Sequence, residues 1–154
     1  MKKLIAVAIV ATSLIGSQSA QGAPAASTTF VLTTHATGSA VTIASNMKMG
    51  GAKTGSADAR FVIDLKKNTL CYTVTTMGLT GIAEAHIHTG AVGVDGADVI
   101  PFLPAKFNKK APTCIKSTPA LLGMIATTPA NYYFNLHTKK YPDGAVRGQL
   151  AAGM

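Results

Sequence analysis

The chain has 154 residues, with 14 basic side chains against 6 acidic ones, a net charge of +8, two cysteines and no tryptophan. One domain is the default at that length, and 6 acidic residues leave few paired carboxylates for acid/base hydrolysis. A basic surface suits acidic polymer, lipid head groups or nucleic acid. Neither an RNA-binding aromatic signature nor a helix-turn-helix pattern is present, which excludes specific nucleic-acid recognition from the expectations.

Lys2 and Lys3 open the chain, an apolar run covers residues 4–15, and a small, polar segment covers 16–25. This pattern predicts a secretory signal peptide over residues 1–23, cleaved between about 20 and 25, with an apolar run too short to span a membrane. No cysteine follows that run to carry a lipid anchor, and no later run approaches the ~20 apolar residues of a span. The expectation is a single domain over residues 26–154, secreted or periplasmic. Removing Lys2 and Lys3 from the 14 basic residues leaves 12 against 6 acidic, a net charge of +6. Basic side chains gather at Lys106, Lys109, Lys110 and Lys116 and at Lys139 and Lys140. They read either as a solvated face or as contacts to an extracellular protein or envelope polymer.

Residues 27–34 alternate as a strand with Phe30 and Leu32 on one side, and residues 40–45 read as a short second strand carrying Val41 and Ile43. A Gly-, Lys- and Met-rich loop follows over 46–56. Residues 57–65 put Ala59, Phe61, Ile63 and Leu65 on one face, Lys66-Lys67-Asn68 makes a hairpin turn, and 69–77 alternates Leu70, Tyr72 and Val74 against Cys71, Thr73 and Thr75. Gly90, Gly93 and Gly96 punctuate the segment after the next strand, with a tight turn expected at Asp95-Gly96. Their spacing is not a dinucleotide fingerprint, and no helical pattern follows it. Strands are expected over 98–103 and 113–117, with a polar loop over 106–112 between them. Thr118-Pro119 reads as an N-cap and first helical position, and Leu121, Leu122 and Ile125 recur at helical spacing, predicting one short helix over 119–126. Strands over 131–138 and 145–151 complete an antiparallel, all-β chain.

The densest chemistry is Glu84-Ala85-His86-Ile87-His88-Thr89-Gly90. In a strand, residues i and i+2 share a face, so His86 and His88 project together beside Glu84 while Ala85 and Ile87 enter the core. In the last hairpin, matching core face to core face sets Asn135 opposite Arg147, Tyr133 opposite Gln149 and His137 opposite Ala145. Tyr133, Asn135, His137, Arg147 and Gln149 then form one polar row, with Asn135 or Glu84 the expected partner of Arg147. Two cysteines in an exported chain favour a Cys71–Cys114 disulfide, worth about 4 kcal/mol for a loop of that size. Two free thiols or two soft metal ligands are the alternatives.

The segments Ala85-His86-Ile87-His88-Thr89-Gly90, Asn131-Tyr132-Tyr133-Phe134-Asn135-Leu136-His137-Thr138 and Tyr141-Pro142-Asp143-Gly144-Ala145-Val146-Arg147-Gly148-Gln149-Leu150 resemble the CHRD (chordin) domain, in the single-domain form of exported bacterial proteins. Leu70-Cys71-Tyr72 resembles its cysteine-bearing strand, with Cys114 at the partner position. The resemblance implies an antiparallel, Greek-key-like β-sandwich or barrel with one short helix. It implies extracellular binding and no assigned catalysis. A His-x-His strand also occurs in the copper/zinc superoxide dismutase sandwich, a likeness of fold by analogy alone.

Two readings of the histidines follow. His86, His88 and His137 are candidate ligands for copper or zinc, the copper case extending to redox activity, with His35 a remote fourth candidate and Met47 and Met49 candidate thioether donors. The same row, with Glu84, Tyr133, Asn135, Arg147 and Gln149, also reads as a structural hydrogen-bond network. The expected function is a binding or structural module outside the cytoplasm, with extracytoplasmic metal binding as the alternative. No G-x-S-x-G elbow or Cys-x-x-Cys motif marks an enzyme.

Overall fold

The computed structural model describes residues 27–42 and 50–153. The expected signal peptide, Met47 and Met49 lie outside the described residues, as does the 43–45 end of the expected second strand.

Among the described residues, alternation of β-branched and aromatic residues with polar ones produces nine strands: β1 (Thr29–Thr37), β2 (Ser56–Asp64), β3 (Thr69–Met77), β4 (Ile82–Thr89), β5 (Asp98–Pro101), β6 (Thr113–Lys116), β7 (Tyr132–Thr138), β8 (Val146–Gln149) and β9 (Ala151–Ala152). One helix, α1, covers Pro119–Thr127. The fold is all-β, as expected. The strands form one antiparallel sheet in the order β5-β4-β7-β8-β1-β2-β3-β6, with β9 pairing to β1, curled on itself as a half-barrel. Hairpin neighbours such as β2 and β3 pair along their whole length, whereas β4 beside β7 and β8 beside β1 join segments distant in the chain.

The curl encloses the core. Phe61, Ile63, Leu70, Ile87, Phe134 and Leu136 are fully buried, each contributing about 1.5–3 kcal/mol of hydrophobic stabilisation. Tyr72 and Phe61 pack on Phe102, with ring centroids 4.7 and 5.5 Å apart. The loop over 106–112 is less polar than its sequence suggested. Phe107 is buried at its root, and Asn108 accepts from the Thr76 backbone N–H at 2.8 Å. α1 begins as expected, with the Thr118 hydroxyl accepting from the Leu121 N–H at 3.3 Å and Pro119 in its first turn. Leu122, Ile125 and Ala126 close it onto the core.

Cys71 and Cys114 stand directly opposite each other on β3 and β6 and are disulfide-bonded, with Cα atoms 3.9 Å apart. The bond staples the edge strand β6 to the sheet. Two local expectations need correction. A 3-10 turn occupies Gly38–Ala40, and Val41 and Thr42 are not in a strand. The reason is packing: a Cβ on Gly38 would strike the Ala52 backbone, so the chain turns tightly against that segment. The tight turn of the glycine-punctuated loop lies at Ala91–Val94, where the Val94 N–H bonds the Ala91 carbonyl at 3.0 Å and Gly93 takes φ +77°. Asp95-Gly96 does not turn, because Asp95 is drawn into an ion pair described below.

Candidate metal centre

The site grows from the pairing of β4 with β7. Their register sets Glu84 opposite His137, His86 opposite Asn135 and His88 opposite Tyr133. His86 and His88 therefore share one face of β4, and His137 reaches it from the diagonal position on β7. One ring nitrogen from each of the three lies within 4.8 Å of those of the other two. Ring centroids stand 5.5 Å apart for His86–His88 and His86–His137, and 6.1 Å apart for His88–His137. All three rings are half-buried.

Their tautomers are constrained by the backbone. His88 Nδ1 sits 3.1 Å from the Gly96 carbonyl, and His137 Nδ1 sits 2.8 Å from the Pro142 carbonyl. A carbonyl only accepts, so each Nδ1 carries the hydrogen and each neutral ring keeps its lone pair on Nε2. His88 Nε2 and His86 Nδ1 are buried and have no hydrogen-bond partner. His137 Nε2 has only the Asn135 side-chain amide, whose Nδ2 donates at 3.3 Å. A ring that donates through one nitrogen to a fixed acceptor and presents the other bare is the usual state of a metal-ligating histidine. Burial holds the His88 imidazole below its ordinary value of 6.5, more than offsetting the upward pull of its bond to Gly96, so the ring favours the neutral form a metal requires.

A loop over residues 90–97 covers this face, and the polar row holds it there. Arg147 is buried, and its Nη1 donates to Asp95 Oδ1 at 2.6 Å and to the Thr42 hydroxyl at 2.7 Å. Its Nη2 donates to the carbonyls of Ala91 and Val94 at 3.0 and 2.7 Å. The guanidinium also lies 3.5 Å from the Tyr133 ring centroid, and the other neighbour of that ring is His88, stacked at 4.9 Å and 5°. Arg147, Tyr133 and His88 thus form a layered stack, with cation–π attraction on the arginine side. Gln149 Nε2 contacts the carbonyls of Gly90, Ala130 and Tyr132 at 2.7–2.8 Å, tying the start of the loop to β7. Gly96 serves twice: its carbonyl orients His88, and its N–H contacts the Tyr133 hydroxyl at 3.4 Å. A Cβ there would collide with the Thr89 carbonyl oxygen.

The expected hairpin register holds, with Asn135 opposite Arg147 and Tyr133 opposite Gln149. Three assignments change. Arg147 pairs with Asp95 and loop carbonyls rather than with Asn135 or Glu84, because the loop folds over the hairpin and brings acceptors within reach of the guanidinium. Glu84 faces solvent and makes no side-chain hydrogen bond among the described residues, since the register shifts between Ile82 and Glu84 where β4 begins. Tyr133 and Asn135, on the face away from the main core, are nevertheless buried, Tyr133 between Arg147 and His88 and Asn135 against Gly144. His35 takes no part: it lies on β1, where its Nδ1 is 2.7 Å from Asp58. Asp95 was missed by sequence reasoning. Its one signal was its place between Gly93 and Gly96 in a loop that returns to the histidine strand.

Four of the 6 acidic residues ring the triad. Glu84 is opposite His137, Asp98 is opposite His88 on β5, and Asp95 and Asp143 line a cavity of about 190 Å³ together with His88, Asn135 and His137. The remaining two, Asp58 and Asp64, pair with His35 and Lys67.

A family model described as the CHRD domain matches residues 11–150, extending upstream into the segment expected to be the signal peptide. No curated protein and no solved structure matches the chain.

Proposed function

The chain belongs to the CHRD domain family, and we propose that it is an extracytoplasmic member whose β4–β7 face binds one copper or zinc ion through His86, His88 and His137. The observation that carries this reading is the convergence of three imidazoles on one another, within 4.8 Å, with a buried nitrogen of His86 and of His88 left unpartnered and the Nδ1 atoms of His88 and His137 held by backbone carbonyls. Three neutral imidazoles suit copper(II) and zinc. A tetrahedral set of bonds of about 2.0–2.1 Å needs nitrogens roughly 3.4 Å apart, so metal binding would draw the three rings closer than the 4.8 Å within which they lie. Glu84, Asp98 and Asp143, which make no ion pair among the described residues, add electrostatic support near the triad, whereas Asp95 is neutralised by Arg147. The disulfide fits an oxidising compartment outside the cytoplasm, and no helix among the described residues is long and apolar enough to cross a membrane.

The structural-network reading of the same row is met most fully by its arginine and its glutamine. Arg147 and Gln149 give their hydrogen bonds to loop and strand carbonyls, which makes them the frame of the site. The test is calorimetric titration of the protein, purified without a histidine tag, with copper(II) and zinc. One equivalent should bind, and His86→Ala, His88→Ala and His137→Ala should each abolish that binding. Undiminished affinity in the His88→Ala variant would sink the proposal, because the i, i+2 pair is its foundation.

A further inference from the structure

Resting on the three-histidine reading, we infer that the centre is open: it keeps a fourth, solvent-exchangeable position, and Asn135 is the residue that holds the solvent molecule there. Asn135 is more than nine-tenths buried, yet its Oδ1 has no hydrogen-bond partner. Its Nδ2 is directed at His137 Nε2. Turning the amide over does not repair this. The Pro142 carbonyl fixes the hydrogen of His137 on Nδ1, so Nε2 of the neutral ring has none to donate to an oxygen. A buried acceptor without a donor is costly and calls for a ligand that supplies one.

The surroundings say which. Asn135 lines the cavity of about 190 Å³ alongside His88 and His137, room for several molecules at the roughly 30 Å³ each occupies in liquid water. Among the described residues the cluster offers three ligands and no fourth, the number that leaves zinc or copper one position for an exogenous ligand. Water bound to a divalent cation is a strong hydrogen-bond donor, because the charge polarises its O–H bonds. Once a metal takes His137 Nε2, the Asn135 amide loses its one side-chain contact, and its unpartnered Oδ1 is left to accept from solvent in the cavity the residue lines. The same carboxamide therefore occupies the His137 lone pair in the metal-free protein and orients solvent in the loaded one. Asp95 and Asp143 line the same space beside Arg147, which pairs with Asp95; the one carboxylate left over favours water over a small anion.

The experiment is solvent-proton relaxation of the whole protein loaded with copper(II), or with cobalt(II) as the paramagnetic substitute for zinc. The expected result is relaxation well above that of the zinc-loaded control, with solvent exchange about tenfold faster in Asn135→Ala, the equivalent of one lost hydrogen bond, and slowed again in Asn135→Asp, which retains an acceptor. Metal binding without relaxation enhancement in the wild-type protein would overturn the open centre while leaving the three-histidine site standing. Enhancement that neither Asn135 variant alters would overturn the role of Asn135. Failure of the protein to bind metal at all would overturn both readings.

Discussion

Arg147 shows how much a single side chain organises here. It donates to Thr42, Asp95 and two loop carbonyls while stacking on Tyr133, a set that only a planar, multi-donor cation can satisfy at once. Arg147→Lys keeps the charge but loses the fork and the stack, and should destabilise the protein by about 2–3 kcal/mol, read as a lower urea midpoint. If the midpoint holds while metal affinity falls, the residue belongs to the binding site itself rather than to its frame. His88 gives a pH signature with a definite sign. Burial lowers its pKa from 6.5, so the unfolded chain binds more protons there than the folded one. Stability of the metal-free protein should therefore decline as pH falls below about 6.5 and level off beneath the folded value, and His88→Gln should flatten that slope. The grouping of His86 and His88 was legible because strand periodicity assigns faces directly. The partners of Arg147 were not, because loop carbonyls carry no side-chain signal and only folding brings Asp95 back over β8.

At the scale of elements, β6 is an edge strand held by the Cys71–Cys114 bond and by pairing on one side alone. Replacing both cysteines with serine should cost up to about 4 kcal/mol and speed hydrogen exchange over Thr113–Lys116, leaving β4 and β7 protected. Equal loss of protection in β4 and β7 would mean that β6 is not a separable unit. The start of α1 has its own cap, and Thr118→Ala should lower stability by about 1 kcal/mol. Strand identities and the helix cap were readable locally, since alternation and a Thr-Pro pair are properties of adjacent residues. The 3-10 turn at Gly38–Ala40 was not, because it answers to the Ala52 backbone in another segment.

In the whole molecule, β8 is the join. It sits between β7, which carries His137, and β1, which leads to β2, β3 and β6. Deleting residues 145–154 should abolish cooperative unfolding by near-ultraviolet circular dichroism, because the two halves of the sheet lose the strand between them; a truncated chain that still melts cooperatively would show that they cohere without it. This strand order was beyond the sequence pattern, which states which face a residue occupies and is silent on which strand lies beside it. The path of the chain also carries an instruction to the histidines. The acceptors that orient His88 and His137 are the main-chain oxygens of Gly96 and Pro142, atoms that every amino acid possesses. Only a replacement that moves the main chain, such as a side chain at Gly96, where a Cβ would strike Thr89, can withdraw them; other drift at the surrounding surface leaves the two rings aimed as before. Relatives that lack the proposed centre should show it as a missing histidine, as a side chain at Gly96, or as an insertion or deletion that reroutes the loop.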